Sequence, residues 1–372
     1  MKKKSLLILI IVIIIIALII AFMPKEQKED VIKIGGAFGL TGFANTWGEA
    51  DRNGALLAIE EINELGGVNG KKVKLIIEDT KSEQKDTLSA VTKLIEVDNV
   101  DVIIGPTWMD TFLGPAPLSN TKNIIMMEPS AAVTAVKSEE NYKNIFVTWY
   151  RSDAELQILP KYISENNINN IVIIRSNDIF WEDTVFNLRK GSEKYEIQIL
   201  AEYKINPTDT DLRTPITKAK EKNPDAIFFG FNSEQNLAGF LKQRQEIYPK
   251  SELITTESIE EFLEKKDFKP LLTNLRFIAP KILESNFNEE YKDRFKIDPI
   301  YSASNSYDAT RIILQAIEQT DSTNTDDLRE YIKNNEFNTV TFGKTRFDEI
   351  GGVIGGEFVI KNEKGEIIDT LD

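Results

Sequence analysis

The sequence predicts an α/β protein built as two doubly wound parallel-sheet lobes, on three observations. Short β-branched runs alternate with segments of helical period from Val31 onward. The alternation occurs twice, once up to about Thr148 and again from Asp153. The chain has 372 residues, enough for two domains, each with its own core.

In the first run, Val31–Gly36 is apolar and β-branched, as expected of a strand buried on both faces. Glu49–Leu65 carries Ala55, Leu56, Ile59 and Ile62 at helical spacing, and Gly66, Gly67, Asn69 and Gly70 turn the chain into a strand at Val73–Asp79. A helix over Asp86–Val97 and strands at Val102–Gly105, Ile124–Met127 and Ile145–Thr148 follow. In the second run, strands fall at Ile171–Arg175, Ile197–Tyr203, Ala226–Gly230, Leu253–Thr256 and Leu275–Ala279. Helices fall at Asp153–Glu165, Thr184–Lys194, Leu212–Lys222, Glu234–Tyr248, Glu289–Phe295 and Tyr301–Thr320. The glycine-rich tail from Val340 reads as short strands and turns.

Composition removes whole classes of chemistry. Without cysteine or histidine there is no disulfide, no Cys/His metal site, no thiol nucleophile and no Ser-His-Asp arrangement. Neither a metal nor a cofactor is expected. A formal charge of −14 repels phosphate backbones, so no nucleic acid is expected as partner.

Residues Ser5 to Met23 carry no charge and follow Lys2, Lys3 and Lys4. As a helix they would span roughly 28 Å, close to the thickness of a bilayer core. The basic flank keeps the N-terminus cytoplasmic and places the body outside. Residues 1–30 are therefore expected to be a signal-anchor transmembrane helix with a charged linker; cleavage as a signal peptide, releasing a secreted or periplasmic body, is the alternative.

Ligands on open parallel sheets bind beyond the carboxyl ends of the strands. All four tryptophans fall in such connections: Trp47, Trp108, Trp149 and Trp181, the last beside Phe180. Phe231 and Asn232 follow Ala226–Gly230, and Glu257 follows Leu253–Thr256. They read either as filling under loops or as a cleft gripping a small molecule by stacking and apolar contact. An acid among aromatics also suits an amine or a cation. The run Gly35-Gly36-Ala37-Phe38-Gly39 fails the dinucleotide spacing G-x-G-x-x-G.

The stretch IKIGGAFGLTGFANTWGEADRNGALLAIEEINELGGVNGKKVKLIIEDTKS resembles the opening of the branched-chain amino acid (Leu/Ile/Val-type) periplasmic binding proteins. Ile104-Gly105-Pro106, Pro129-Ser130-Ala131, Pro224-Asp225-Ala226 and Tyr307-Asp308-Ala309 continue the likeness in order. The resemblance implies two lobes, residues 31–148 plus 282–337 and residues 149–281 plus 338–372. Three hinge crossings would join them, near Thr148–Arg151, Ala279–Ile282 and Asn338–Gly343. It also implies hinge closure on a solute and docking on an ABC permease. Carried over by position, the first-loop aromatic falls on Trp47 and the carboxylate-binding serine on Met109. The threonine falls on Ala132, two tyrosines on Phe180 and Phe231, and the amine-binding acid on Glu257. Met109 and Ala132 cannot donate a hydroxyl hydrogen bond, so an altered ligand is expected.

The expected ligand-binding set is Trp47, Trp108, Met109, Ser130, Ala132, Phe180, Trp181, Phe231 and Glu257. The leading function is a non-enzymatic, extracytoplasmic binding protein delivering an amino-acid-like, amide or related solute to an importer. A ligand-sensing ectodomain signalling through a membrane partner is the alternative. An enzyme would need paired carboxylates drawn from Glu128, Asp178, Glu182 and Glu257.

Overall fold

The apolar runs of the inner strands are shielded on both faces. In the computed structural model, which describes residues 31–130, 142–150, 152–206, 208–281 and 286–371, β1 (Ile32–Phe38), β2 (Val73–Asp79), β3 (Val102–Ile104), β4 (Ile125–Glu128) and β5 (Ile145–Val147) form a parallel sheet in the order β2-β1-β3-β4-β5. Every residue of β3, β4 and β5 is buried, as near-continuous Ile, Val, Met and Phe require. Helices α1 (Asn45–Glu64), α2 (Gln84–Glu96), α3 (Met109–Phe112) and α4 (Ala116–Thr121) connect these strands.

The second sheet repeats the winding. Its strands β6 (Asn170–Ser176), β7 (Gln198–Ile205), β8 (Ala226–Gly230), β9 (Glu252–Thr256) and β10 (Leu275–Pro280) alternate with α5 (Ser152–Glu165), α6 (Ile179–Lys194), α7 (Arg213–Lys222) and α8 (Glu234–Ile247). The order along its parallel part, β7-β6-β8-β9-β10, matches that of the first sheet. Two C-terminal strands extend it antiparallel at the β10 edge: β14 (Phe358–Asn362) on β10, and β15 (Ile367–Leu371) on β14. The second sheet is thus mixed, not wholly parallel as its sequence suggested. A strand arriving without a crossover helix pairs most simply as a hairpin.

Helices α9 (Phe287–Phe295), α10 (Tyr301–Thr320) and α11 (Thr325–Asn334) return to the first sheet. Helix α11 was not anticipated, although Asn324 caps it by accepting from the Asp326 N–H at 2.9 Å and Leu328 and Ile332 form its buried stripe. Helix α10 lies along α1 so closely that a Cβ on Gly54 would stand 2.1 Å from the Ala303 carbonyl oxygen. Strands β11 (Phe337–Thr339), β12 (Gly343–Phe347) and β13 (Val353–Ile354) form a small sheet beside β5. The Val147 N–H donates to the Gly351 carbonyl at 2.8 Å, and Phe146 meets Phe347 edge to face at 5.2 Å. The third passage between the large sheets therefore lies at Gly355–Glu357, not near Asn338–Gly343. The tail first pairs with β5 and only then reaches β10. The expected anchor Ser5–Met23 and the linker lie outside the described residues; among the described residues no helix is long and apolar enough to cross a membrane.

Two buried carboxylates tie α1 and α10 into the first half. Asp51 accepts from Thr107 Oγ1 at 2.6 Å, from Ser130 Oγ at 2.8 Å and from Ser302 Oγ. Asp308 accepts from the N–H groups of Val340 and Thr341 at 2.8 and 2.9 Å and from Thr341 Oγ1 at 2.6 Å. Desolvation by burial pushes both carboxyls up to about 7, against the pull of these donors. Folding thus favours their protonated forms. That stabilisation is fully present below the unfolded value near 4 and is lost as pH rises through about 7. Asp79, Glu182 and Glu202, held low by their hydrogen-bond donors against the opposing effect of burial, titrate below this window. With no histidine in the chain, the resistance to urea should fall between pH 5 and pH 8, by on the order of 1 kcal/mol or more per group. Asp51→Asn should flatten that slope. A midpoint that rises with pH in the unaltered protein would contradict this account.

Candidate ligand-binding site

Both sheets have their topological switch between the first strand and its second-laid neighbour, β1 beside β3 and β6 beside β8. Chains leaving such a pair turn to opposite faces and open a crevice at the carboxyl ends. Trp47 stands in the first turn of α1 after β1, and Trp108 and Met109 follow β3. Phe180 opens α6 after β6, and Phe231 with Asn232 follows β8. Ser130 after β4, Trp149 after β5, and Glu257, Ser258, Glu261 and Phe262 after β9 complete the wall. Together these residues from both halves enclose one cleft of about 570 Å³, counting its open mouth.

Aromatic rings form half of the wall. Trp47 is central, its ring centroid 6.2 Å from that of Trp108 and 5.8 Å from that of Trp149. Trp149 packs in turn on Tyr150 at 5.3 Å and Tyr301 at 5.0 Å. Phe43, exposed at the rim, meets Trp108 edge to face at 5.5 Å. Trp108 holds φ +80, a left-handed conformation costly for a bulky residue, at the start of α3.

A buried acid forms the polar end. Glu257 is 3 % exposed; its Oε2 accepts from Tyr150 Oη at 2.5 Å, while its Oε1 accepts no hydrogen bond among the described residues. Burial pushes Glu257 up to about 7. Beside it Glu155, from the first turn of α5, is raised well above the carboxylate range by burial and then by the charge of Glu257. Burial, then the charges of Glu155 and Glu257, raises the Tyr150 hydroxyl well above its usual value, so it stays a donor. Glu261, also in the wall, is pushed up to about 7 by burial.

Of the nine residues expected at the site, Trp47, Trp108, Met109, Ser130, Phe180, Phe231 and Glu257 meet in this cleft. Ala132 lies outside the described residues. Trp181 does not line the cleft: it is fully buried, packed on Phe180 and Phe228 at 5.3 and 6.4 Å. The helix starts at Ile179, five residues before the expected Thr184, because Asp178 Oδ1 caps it by accepting from the Trp181 N–H at 3.0 Å. The first turn aims the indole inward, where its Nε1 donates to Asn232 Oδ1 at 2.9 Å and fixes that amide in the wall. Tyr150, Glu155, Ser258, Glu261 and Phe262 were not foreseen. Of the four carboxylates considered for catalysis, Glu128 accepts from the Ser130 N–H, Asp178 is the cap, and Glu182 is held by Arg175 and Lys204 at 2.5 and 2.9 Å. Glu257 alone among them lines the cleft.

Residues 31–360 match the family model described as periplasmic binding protein. The chain belongs to that family. Among curated periplasmic binding proteins, it is 24% identical over 354 residues to the leucine-, isoleucine-, valine-, threonine- and alanine-binding protein of Pseudomonas aeruginosa, covering 92% of each chain. It is 21% identical to the Leu/Ile/Val-binding protein of Escherichia coli, over 91% of this chain and 92% of that one. Among solved members, the substrate binding protein LivJ of Streptococcus pneumoniae, in complex with isoleucine, superposes with a TM-score of 0.81 at 22% identity, over 92% of this chain and 99% of that one. A solute binding protein of Rhodopseudomonas palustris BisB5, in complex with 3,4-dihydroxybenzoic acid, gives 0.80 at 20% identity, over the same shares. These likenesses carry the type I fold; the two bound ligands differ in charge and shape.

Proposed function

We propose that this chain is an extracytoplasmic solute-binding protein, not an enzyme, that closes its two halves on a small amino-acid-like, amide or related solute and delivers it to an ABC importer. The observation that carries this reading is the convergence of aromatic and acidic residues from both sheets on one cleft at their switch points. A ligand touching both walls binds the closed form better than the open one, and that difference drives closure. The relatives named above, amino acid binding proteins and the substrate binding protein of a transporter among them, support the same role. The apolar N-terminal run would hold the body outside the membrane, and the closed form would dock on a permease.

A thermal-shift screen with amino acids, amides, polyamines and sugars tests the reading. At least one solute should raise the melting temperature in a saturable, concentration-dependent manner. The same solute should reduce the radius of gyration in small-angle scattering. A binder that leaves the radius unchanged would argue against closure, and turnover of the bound solute, followed by mass spectrometry, would argue for an enzyme.

A further inference from the structure

The two sides of the cleft differ in what they still offer a ligand. On the first-sheet side, among the described residues, the hydroxyls of Thr107, Ser130 and Ser302 and the Ser130 N–H already serve internal acids. The Ser130 N–H donates to both oxygens of Glu128 at 2.9 Å. Ser130 Oγ and Thr107 Oγ1 donate to Asp51 at 2.8 and 2.6 Å, and Ser302 Oγ does the same. A hydroxyl has one hydrogen to give. Met109 offers a thioether. A carboxylate placed here would stand next to Glu128 and Asp51 and would draw no hydrogen bond from the described Thr107, Ser130 and Ser302 hydroxyls, which is costly in a buried site.

The opposite side is lined by acids, with Lys265 Nζ outside the lining, 4.2 Å from the centroid of the Phe262 ring. No lysine or arginine occurs among the described residues of the cleft wall, whereas Glu257 and Glu261 do. A second cavity adjoins the first through Trp47, Glu257, Ser258 and Glu261; it adds Glu260 and again no basic residue. Glu260 is engaged by Lys361 at 2.6 Å. The Glu257 Oε1 is buried, unpartnered among the described residues, and set in a wall of indole and phenyl rings. Ring faces attract cations, more strongly when the cation is desolvated.

We propose that the cleft selects an organic cation without a carboxylate, an amine or quaternary ammonium with an apolar body, over zwitterionic amino acids and organic anions. This rests on the solute-binding reading given above and narrows it to one charge class. The cationic head lies against Glu257 and the rings of Trp47 and Trp149, and the apolar body fills the space toward Phe180 and Phe231. The net charge of −14 favours approach of the same class at low salt.

Calorimetric titration of the full chain with matched probes tests the proposal. Isopentylamine keeps the leucine side chain and charge but lacks the carboxylate, 4-methylpentanoate keeps the carboxylate alone, and leucine carries both. Tetraethylammonium is a cation at every pH. The two cations should bind at least tenfold more tightly than leucine or the acid. Glu257→Gln should weaken both cations at least tenfold. If that variant does not fold, the unaltered protein still decides. Among the described residues Glu257 faces Tyr150, Glu155, Glu260, Glu261 and Tyr301, with Lys361 held on Glu260 and Lys265 near Glu261, and it must ionise to hold the cation. Tetraethylammonium affinity should therefore rise between pH 6 and pH 8, and a flat or falling profile overturns the proposal. So does leucine or the acid binding as tightly as the amine. In parallel, the protein is exposed to a small-molecule cell extract and its bound solute is identified by mass spectrometry. Capture of a cation supports the proposal. Capture of an anion, zwitterion or neutral solute overturns the charge class and leaves solute binding intact. If neither the probes nor the extract yields a binder, solute binding itself falls, and the charge class with it.

Discussion

Replacing Trp181 with alanine is expected to lower the unfolding free energy by about 3–5 kcal/mol, the range for emptying a fully buried aromatic site. The indole has no solvent exposure. Its place was made by removing a side chain opposite, since a Cβ on Gly230 would stand 2.1–2.3 Å from three ring carbons. The neighbours cannot collapse into the vacated volume, because Phe228 belongs to the rigid central strand β8 and Gly230 has nothing to move. The Asn232 oxygen would also lose its donor. Urea unfolding followed by circular dichroism measures the effect, and a loss below about 1 kcal/mol would show that the ring is not part of the packed core.

Replacing Trp47 with alanine should do the reverse: a large loss of ligand affinity at a smaller cost in stability. Trp47 is only half-buried. It lies between Trp108 and Trp149 and borders both cavities, so any ligand that fills the cleft touches it. Removing one desolvated ring face from a bound cation costs about 2 kcal/mol or more, roughly thirtyfold in dissociation constant. Its unfolding free energy should fall by less than half as much as in Trp181→Ala. Equal destabilisation of the two variants would mean that the cleft is a core in disguise, and affinity for the captured solute unchanged in Trp47→Ala would remove the aromatic wall from the binding account.

These two tryptophans show what the sequence could and could not reveal. Both follow a strand of the same kind, β1 and β6, and both precede a helix. Trp47 sits in the first turn of α1 and points to the cleft; Trp181 occupies the first turn of α6 and points to the core. The difference is one of helical phase, fixed by where the cap lies. Asp178 was the available cue, but the aromatic run Phe180-Trp181 obscured the helical period until Thr184. The strands were legible because β-branched runs buried on both faces leave a continuous signal, as in β8, whose ends coincide with their expected bounds. Glu155 was illegible for the opposite reason. An acid in the first turn of a helix is ordinary, and only the tertiary structure brings it beside Glu257 and Tyr150. The antiparallel hairpin of β14 and β15 was hidden because short strands with glycine turns do not announce which sheet edge they join.

The late return of the chain to both sheets sets an order of events on the ribosome. When β10 emerges, its outer edge has no partner, since β14 lies about eighty residues downstream. At that moment α1 also lacks α10, so Asp51 has neither Ser302 to donate to it nor the Ala303 backbone to cover Gly54. Both halves of the nascent polypeptide therefore await nearly the same last stretch. Translation cut short before Ser302 yields two unfinished bodies instead of one finished and one missing.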